Sequence, residues 1–227
     1  MNPRVPAAAF GLLVAVNLLG TGLGNSILEW ASKPLLMPAL IWLVLARGVT
    51  EPRIRPLLLS GLAAATVADI ALLVPGRNAL LIGMGFFAVM QLCFITAYTR
   101  VTKVLARWRA LPWLPALYLA VWLGFVVTLW TSFGELAVPI AGYGLLLAIM
   151  AAAAGTVSPL VGLGGGLFMV SDFMIGLGIA DLDFPARNPA IMATYCAAQF
   201  LIVTGLAAPT AGRPAPGSTR PPAAAAQ

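Results

Sequence analysis

Histidine is absent from the 227 residues, and charge is scarce: Asp, Glu, Lys and Arg make up 9%, where a soluble domain carries about 25%. Without histidine the chain lacks the usual side-chain base near neutral pH and the commonest transition-metal ligand. Only two cysteines occur, Cys93 and Cys196. Both fall in apolar runs, which gives no disulfide framework and no metal set; both read as small buried apolar residues. No stretch alternates apolar and polar residues as the strands of a membrane barrel would. No loop is long enough to hold a soluble module. What is abundant is apolar residue, 61% of the chain, with a mean hydropathy of +0.97. That excludes a disordered chain, a collagen, a coiled coil and an ordinary soluble enzyme.

The fold class expected is all-α: a polytopic integral membrane helical bundle of about eight transmembrane helices, each needing roughly 20 apolar residues. The spans read as residues 7–24, 27–46, 56–74, 79–99, 111–131, 136–154, 157–180 and 189–208. Pro56, Pro112, Pro159 and Pro189 sit near helix starts, where a missing N–H costs little. One domain over 1–208 is expected, followed by a disordered Pro/Ala-rich tail over 209–227. The N-terminal apolar run has no clear small-residue cleavage site and reads as a retained first helix.

The net charge is +6. In a membrane protein this points to cytoplasmic loops and not to nucleic acid. Arg4, Arg47, Arg53, Arg55, Arg100, Lys103, Arg107, Arg109, Arg213 and Arg220 fall on one side; Lys33, Arg77 and Arg187 fall on the other. Ten against three places both termini in the cytoplasm, in a bacterial-type inner membrane.

Ionisable groups inside spans cost about 2.5–3.5 kcal/mol each and are the first candidates for function. Asp69 lies in the third span and Asp172 in the seventh; neither has an opposite charge three or four residues away. Glu29 and Lys33 share a helix face at i,i+4, the plainest reading being an interfacial ion pair. Asn188, Met192, Tyr195 and Gln199 fall on one face of the last span. With Asn17, these groups fall in the outer half and could form one polar pocket. The alternative is a set of separate interhelical hydrogen bonds, the reading that suits Asn17 best. Gly162 and Gly166, like Gly20 and Gly24, read as small residues for close helix packing and not as a phosphate loop. Asp181, Asp183 and Arg187 read as a solvated turn. Trp30, Trp108, Trp113 and Trp130 read as an aromatic belt.

Several motifs then coincide in order: Lys33-Pro-Leu-Leu-Met37, Ala68-Asp69 with Leu72-Leu73, Gly166-Leu-Phe-Met-Val-Ser-Asp172, and Tyr195-Cys-Ala-Ala-Gln199-Phe-Leu-Ile-Val-Thr-Gly205. The series resembles the YhhN-like family of lysoplasmalogenases over nearly the whole chain except the tail. The resemblance implies hydrolysis of the vinyl ether bond of lysoplasmalogens to a fatty aldehyde and glycerophosphoethanolamine or glycerophosphocholine. It matches the family's acidic positions to Asp69 and Asp172, its Lys-Pro motif to Lys33-Pro34, and its last-helix motif to Tyr195 and Gln199. The chain departs from the family where Gly-His-x-x-Tyr becomes Met90-Gln91-Leu-Cys-Phe94: Gln91 can hydrogen-bond but cannot exchange a proton.

A vinyl ether is cleaved by acid through an oxocarbenium ion, so paired carboxyls suit it, as they suit glycoside hydrolysis. An apolar surrounding favours the neutral form of one acid and two adjacent carboxyls differ in proton affinity, so the chemistry needs no histidine. Asp69 and Asp172 are expected to be the catalytic pair. Lys33 is expected to hold the phosphate of the headgroup or to act on the charge of one carboxyl; Tyr195 and Gln199 would orient water or the glycerol hydroxyl. Asn188, Gln91 and Glu29 complete the expected substrate-binding set. A lysophospholipid substrate and membrane lipids are the partners; no cofactor, metal or nucleic acid is expected. The alternative class is a proton-coupled small-solute or lipid transporter using the same two acids; the absence of a clear internal repeat counts against it.

Overall fold

A computed structural model of the chain describes residues 2–49 and 51–207; the tail expected from residue 209 lies outside the described residues. The described residues are helical with no strand. The helices are α1 (Arg4–Leu23), α2 (Ser26–Arg47), α3 (Arg55–Ala71), α4 (Arg77–Val101), α5 (Val104–Ala110), α6 (Trp113–Phe133), α7 (Ala137–Ala154), α8 (Pro159–Ile179) and α9 (Arg187–Ala207), with a 3₁₀ turn at Gly134–Leu136.

Six stretches among the described residues are long and apolar enough to cross a membrane. One of them, Trp113–Ala154, contains both α6 and α7, which are separated where Gly134 takes φ 53°. The 17-residue α3 is not among the six. The expected count of eight is therefore approximate: among the described residues there are eight long helices, seven of them within those six stretches. The short α5 was not expected. It carries Arg107 and Arg109 in its last turn and lies in the most basic loop.

Local chemistry accounts for the breaks. The Asn25 side chain accepts from the N–H groups of Ile27 and Leu28 at 3.1 and 3.2 Å and starts α2. Gly24 ends α1 in a left-handed conformation, φ 64°. Ser158 accepts from the Val161 N–H and starts α8, with Pro159 in the first turn. Inside α2, Pro34 and Pro38 remove two donors from the ladder immediately after Lys33.

Seven helices form a ring in the order α1, α2, α3, α4, α7, α8, α9, closed by α9 on α1, while α6 packs outside on α7. Glycine sets the closest seams. A methyl group at Gly164 would stand 2.9 Å from the Ala198 carbonyl oxygen, and at Gly165 2.8 Å from Ala154 Cβ, so α8 lies tight on both α9 and α7. The spacing Gly162/Gly166 therefore pointed to a real seam but one residue was misplaced: at Gly166 only the Tyr118 hydroxyl approaches, at 3.4 Å. Likewise Gly20 packs against Glu29 and Leu28 of α2, whereas Gly24 has open space and serves the cap.

Candidate active site

The starts of α2, α7 and α9 and the end of α8 lie on the same side of the bundle. Lys33, Tyr143, Asp172 and Tyr195 lie six to eight residues from those ends, hence about 10 Å deep at 1.5 Å per residue. Asp69 enters the layer from the last turn of α3.

Two Asp–Tyr pairs occupy this layer. In the first, the Tyr195 hydroxyl of α9 donates to Asp69 Oδ2 at 2.7 Å. Asp69 is 1% exposed and Tyr195 4%. Lys33 of α2 lies within electrostatic reach of Asp69. In the second, the Tyr143 hydroxyl of α7 donates to Asp172 Oδ2 of α8. Both of these residues are half-buried. The two carboxyls are within electrostatic reach of each other. Ser171, the neighbour of Asp172, fixes this stretch of α8 by donating to the Ile191 carbonyl of α9 at 3.0 Å.

A glutamine stands beside each tyrosine. Gln199 lies one turn below Tyr195 and donates to Met90 Sδ at 3.1 Å. Gln91 approaches Tyr143 from α4. Both glutamines are fully buried; Gln199 Oε1 and both amide atoms of Gln91 have no hydrogen-bond partner of good geometry. A buried unsatisfied polar group costs about 1–3 kcal/mol and calls for an explanation.

The pairs differ in access. Asp172 and Tyr143 line an apolar cleft walled by α4, α6, α7 and α8. Asp69 and Tyr195 do not line it. Phe87 of α4 stands between: it lines the cleft, and its ring packs edge-on against Phe168 and Tyr195 with centroids 6.0 and 5.7 Å apart.

Asp69, Asp172, Lys33, Tyr195, Gln199 and Gln91 thus converge. Asn188 and Glu29 do not. Asn188 is exposed at the rim, with Thr21, Asp183 and Arg187, because it precedes the buried part of α9. Glu29 packs against Gly20 at the α1–α2 seam and forms no ion pair with Lys33, which turns toward Asp69. Asn17 donates to Ser32 Oγ at 3.0 Å, an interhelical hydrogen bond outside the site. Asp183 pairs with Arg187 at 2.7 Å. Trp108 donates to the Ala152 carbonyl, so it anchors α5 to the end of α7. Cys93 and Cys196 are free thiols. No group of residues able to hold a metal occurs among the described residues.

Tyr143 was missed from sequence. Its signal was its solitude: no other side chain of α7 carries an oxygen or a nitrogen atom.

Compared with known proteins, the chain matches the model of the YhhN family over residues 28–206, from the first turns of α2 to the end of α9. No curated protein and no solved structure matches it significantly.

Proposed function

The chain belongs to the YhhN family, and from that premise we propose that it is a lysoplasmalogenase-like hydrolase that cleaves the vinyl ether bond of a lysophospholipid. The observation that supports this reading best is the layer of two carboxyls, each held by a tyrosine hydroxyl, one of them opening into an apolar cleft. Both the chemistry and the lipid substrate ask for that combination.

In this reading one carboxylic acid gives its proton to the β carbon of the vinyl ether. The electron pair of the double bond forms the new C–H bond, and the positive charge spreads over the other carbon and the ether oxygen. The second carboxylate stabilises that cation. Water then adds to the cationic carbon and returns a proton to the carboxyl that gave one, so the second carboxylate acts by its charge alone. The resulting hemiacetal passes its hydroxyl proton to the glycerol oxygen as that C–O bond breaks, which yields aldehyde and alcohol. One water is consumed and the carboxyl pair keeps one proton. General acid catalysis of this kind contributes about 10²–10⁴-fold. Lys33 serves the charge of Asp69, and the glutamines orient water or substrate oxygen.

The membrane-embedded body over 1–208 forms one catalytic domain in this reading, with both termini cytoplasmic. Purified protein in detergent should release aldehyde from 1-alkenyl lysophosphoethanolamine or lysophosphocholine and none from the saturated ether analogue. A folded protein that releases none from either headgroup, and instead shows proton-dependent uptake in vesicles, would replace this reading with a transporter.

A further inference from the structure

The two half-sites are unequal in a way that assigns the substrate a pose. The cleft on Asp172 and Tyr143 is walled by Leu80, Met84, Trp122, Phe125, Ile140 and Ile179, among others, and Asp172 is its one charged lining residue. It runs along α7 from Ile140 to Leu147 and along α8 from Ile179 to Asp172, about 10 Å in each case by helical rise. A phosphate would find no cation here, and an ammonium only the carboxyl at one end. A hydrocarbon chain would find apolar walls throughout. At the polar end, the Tyr143 hydroxyl and the Asp172 carboxyl line the cleft, and Gln91, fully buried, stands behind Tyr143. Glycine sets the width: a methyl group at Gly176 would stand 2.8 Å from Phe125 Cζ, and one at Gly144 3.0 Å from Trp122 Cδ1. Those two rings of α6 therefore rest on glycines of α8 and α7. Phe125 is further fixed by stacking on Phe173, with centroids 4.1 Å apart.

We propose that this cleft seats the single hydrocarbon chain of the substrate, with Tyr143 and Asp172 against its oxygen-bearing end, and that Asp69 and Tyr195, sealed behind Phe87, act through charge without touching substrate. The inference rests on the hydrolase reading for the identity of that polar end. It makes Tyr143 a catalytic residue and Tyr195 a positioning residue, and it makes the cleft the holding site of the aldehyde product.

The test uses the full chain in nanodiscs with a saturated alkyl-ether lysophosphoethanolamine carrying a diazirine in its chain. This probe cannot be hydrolysed, so its binding is read apart from turnover. After irradiation, the labelled residues are mapped by mass spectrometry. The expected label falls on cleft residues of α6, α7 and α8, such as Phe125 and Phe173. It falls about tenfold or more in Gly176→Leu, and equally in Ile175→Trp, which puts a ring into the same cleft from a lining position. A tenfold loss is about 1.4 kcal/mol of binding. In the natural vinyl ether assay, Tyr143→Phe lowers kcat by about 10²-fold with KM little changed, while the two cleft-filling variants raise KM. Label concentrated elsewhere, for example in the α1–α9 groove at Phe10 and Phe200, overturns the seat whether or not aldehyde is formed. Cleft labelling without aldehyde release by the wild type upholds the seat and overturns only the hydrolase reading.

Discussion

At the residue scale, each buried carboxyl has one tyrosine donor, and the two bonds should not be worth the same in activity. Tyr195→Phe leaves a fully buried Asp69 oxygen without its donor. It should lower unfolding stability in detergent by about 1–3 kcal/mol, measured as a shift in Tm, with the remaining activity reduced through Asp69. Asp69→Asn and Asp172→Asn should each lower aldehyde release by about 10²-fold or more. Outside the membrane layer, Asp183 is held below the usual carboxylate range, first by the hydrogen bond from Arg187 and then by the Phe184 N–H. A carboxyl depressed on folding favours the fold above its ordinary pKa of about 3.9 and loses that advantage as pH falls through the lowered value. The Tm gap between wild type and Asp183→Asn should therefore be full at neutral pH and close in acid. Asp69, Asp172, Tyr195 and Gln199 were legible because polar groups in apolar runs are conspicuous and helical spacing gives their face. Asn188 was misjudged because a helix face says nothing of depth at its exposed end. Tyr143 was passed over because tyrosine is common at membrane interfaces and only its hydrogen bond to Asp172 shows its part.

At the element scale, hydrophobic run length located the long helices to within a few residues, and the reason is physical: in hydrocarbon every backbone group must be satisfied within its own helix. The same criterion could not see α5, whose seven residues lie outside the apolar runs, nor which helices touch. That second matter is decided by glycine contacts that depend on helix rotation. Gly164→Val should destabilise by about 1–3 kcal/mol through overpacking, since its first carbon would already crowd Ile202 Cγ1 at 2.8 Å and the Ala198 carbonyl. Gly166→Ala, two residues on, should leave Tm unchanged, because only the Tyr118 hydroxyl lies within reach. Thermal unfolding of the two variants side by side reads the seam directly. The ring order and the position of α6 outside it were not legible, because α6 is apolar on all sides and has no face that names its neighbour.

At the scale of the whole molecule, the acidic layer lies near one end of the bundle, the end proposed above to face away from the cytoplasm. With Cys93 and Cys196 replaced, a cysteine at Asn2 should resist a membrane-impermeant thiol reagent in intact cells, and one at Leu182 should react; the reverse pattern would turn the site to the other leaflet. The ring brings the two carboxyls within electrostatic reach of each other, and the cleft beneath α6 gives one of them an apolar opening. The measurement that bears most directly on the chemistry is aldehyde formation from 1-alkenyl lysophosphoethanolamine in D₂O, with the product trapped as it forms and read by mass spectrometry. Acid-catalysed hydration predicts one deuterium on the carbon next to the aldehyde carbon, from the wild type and not from Asp172→Asn. Aldehyde without that deuterium, undiminished release by Asp172→Asn, or no aldehyde from folded wild-type protein would contradict it.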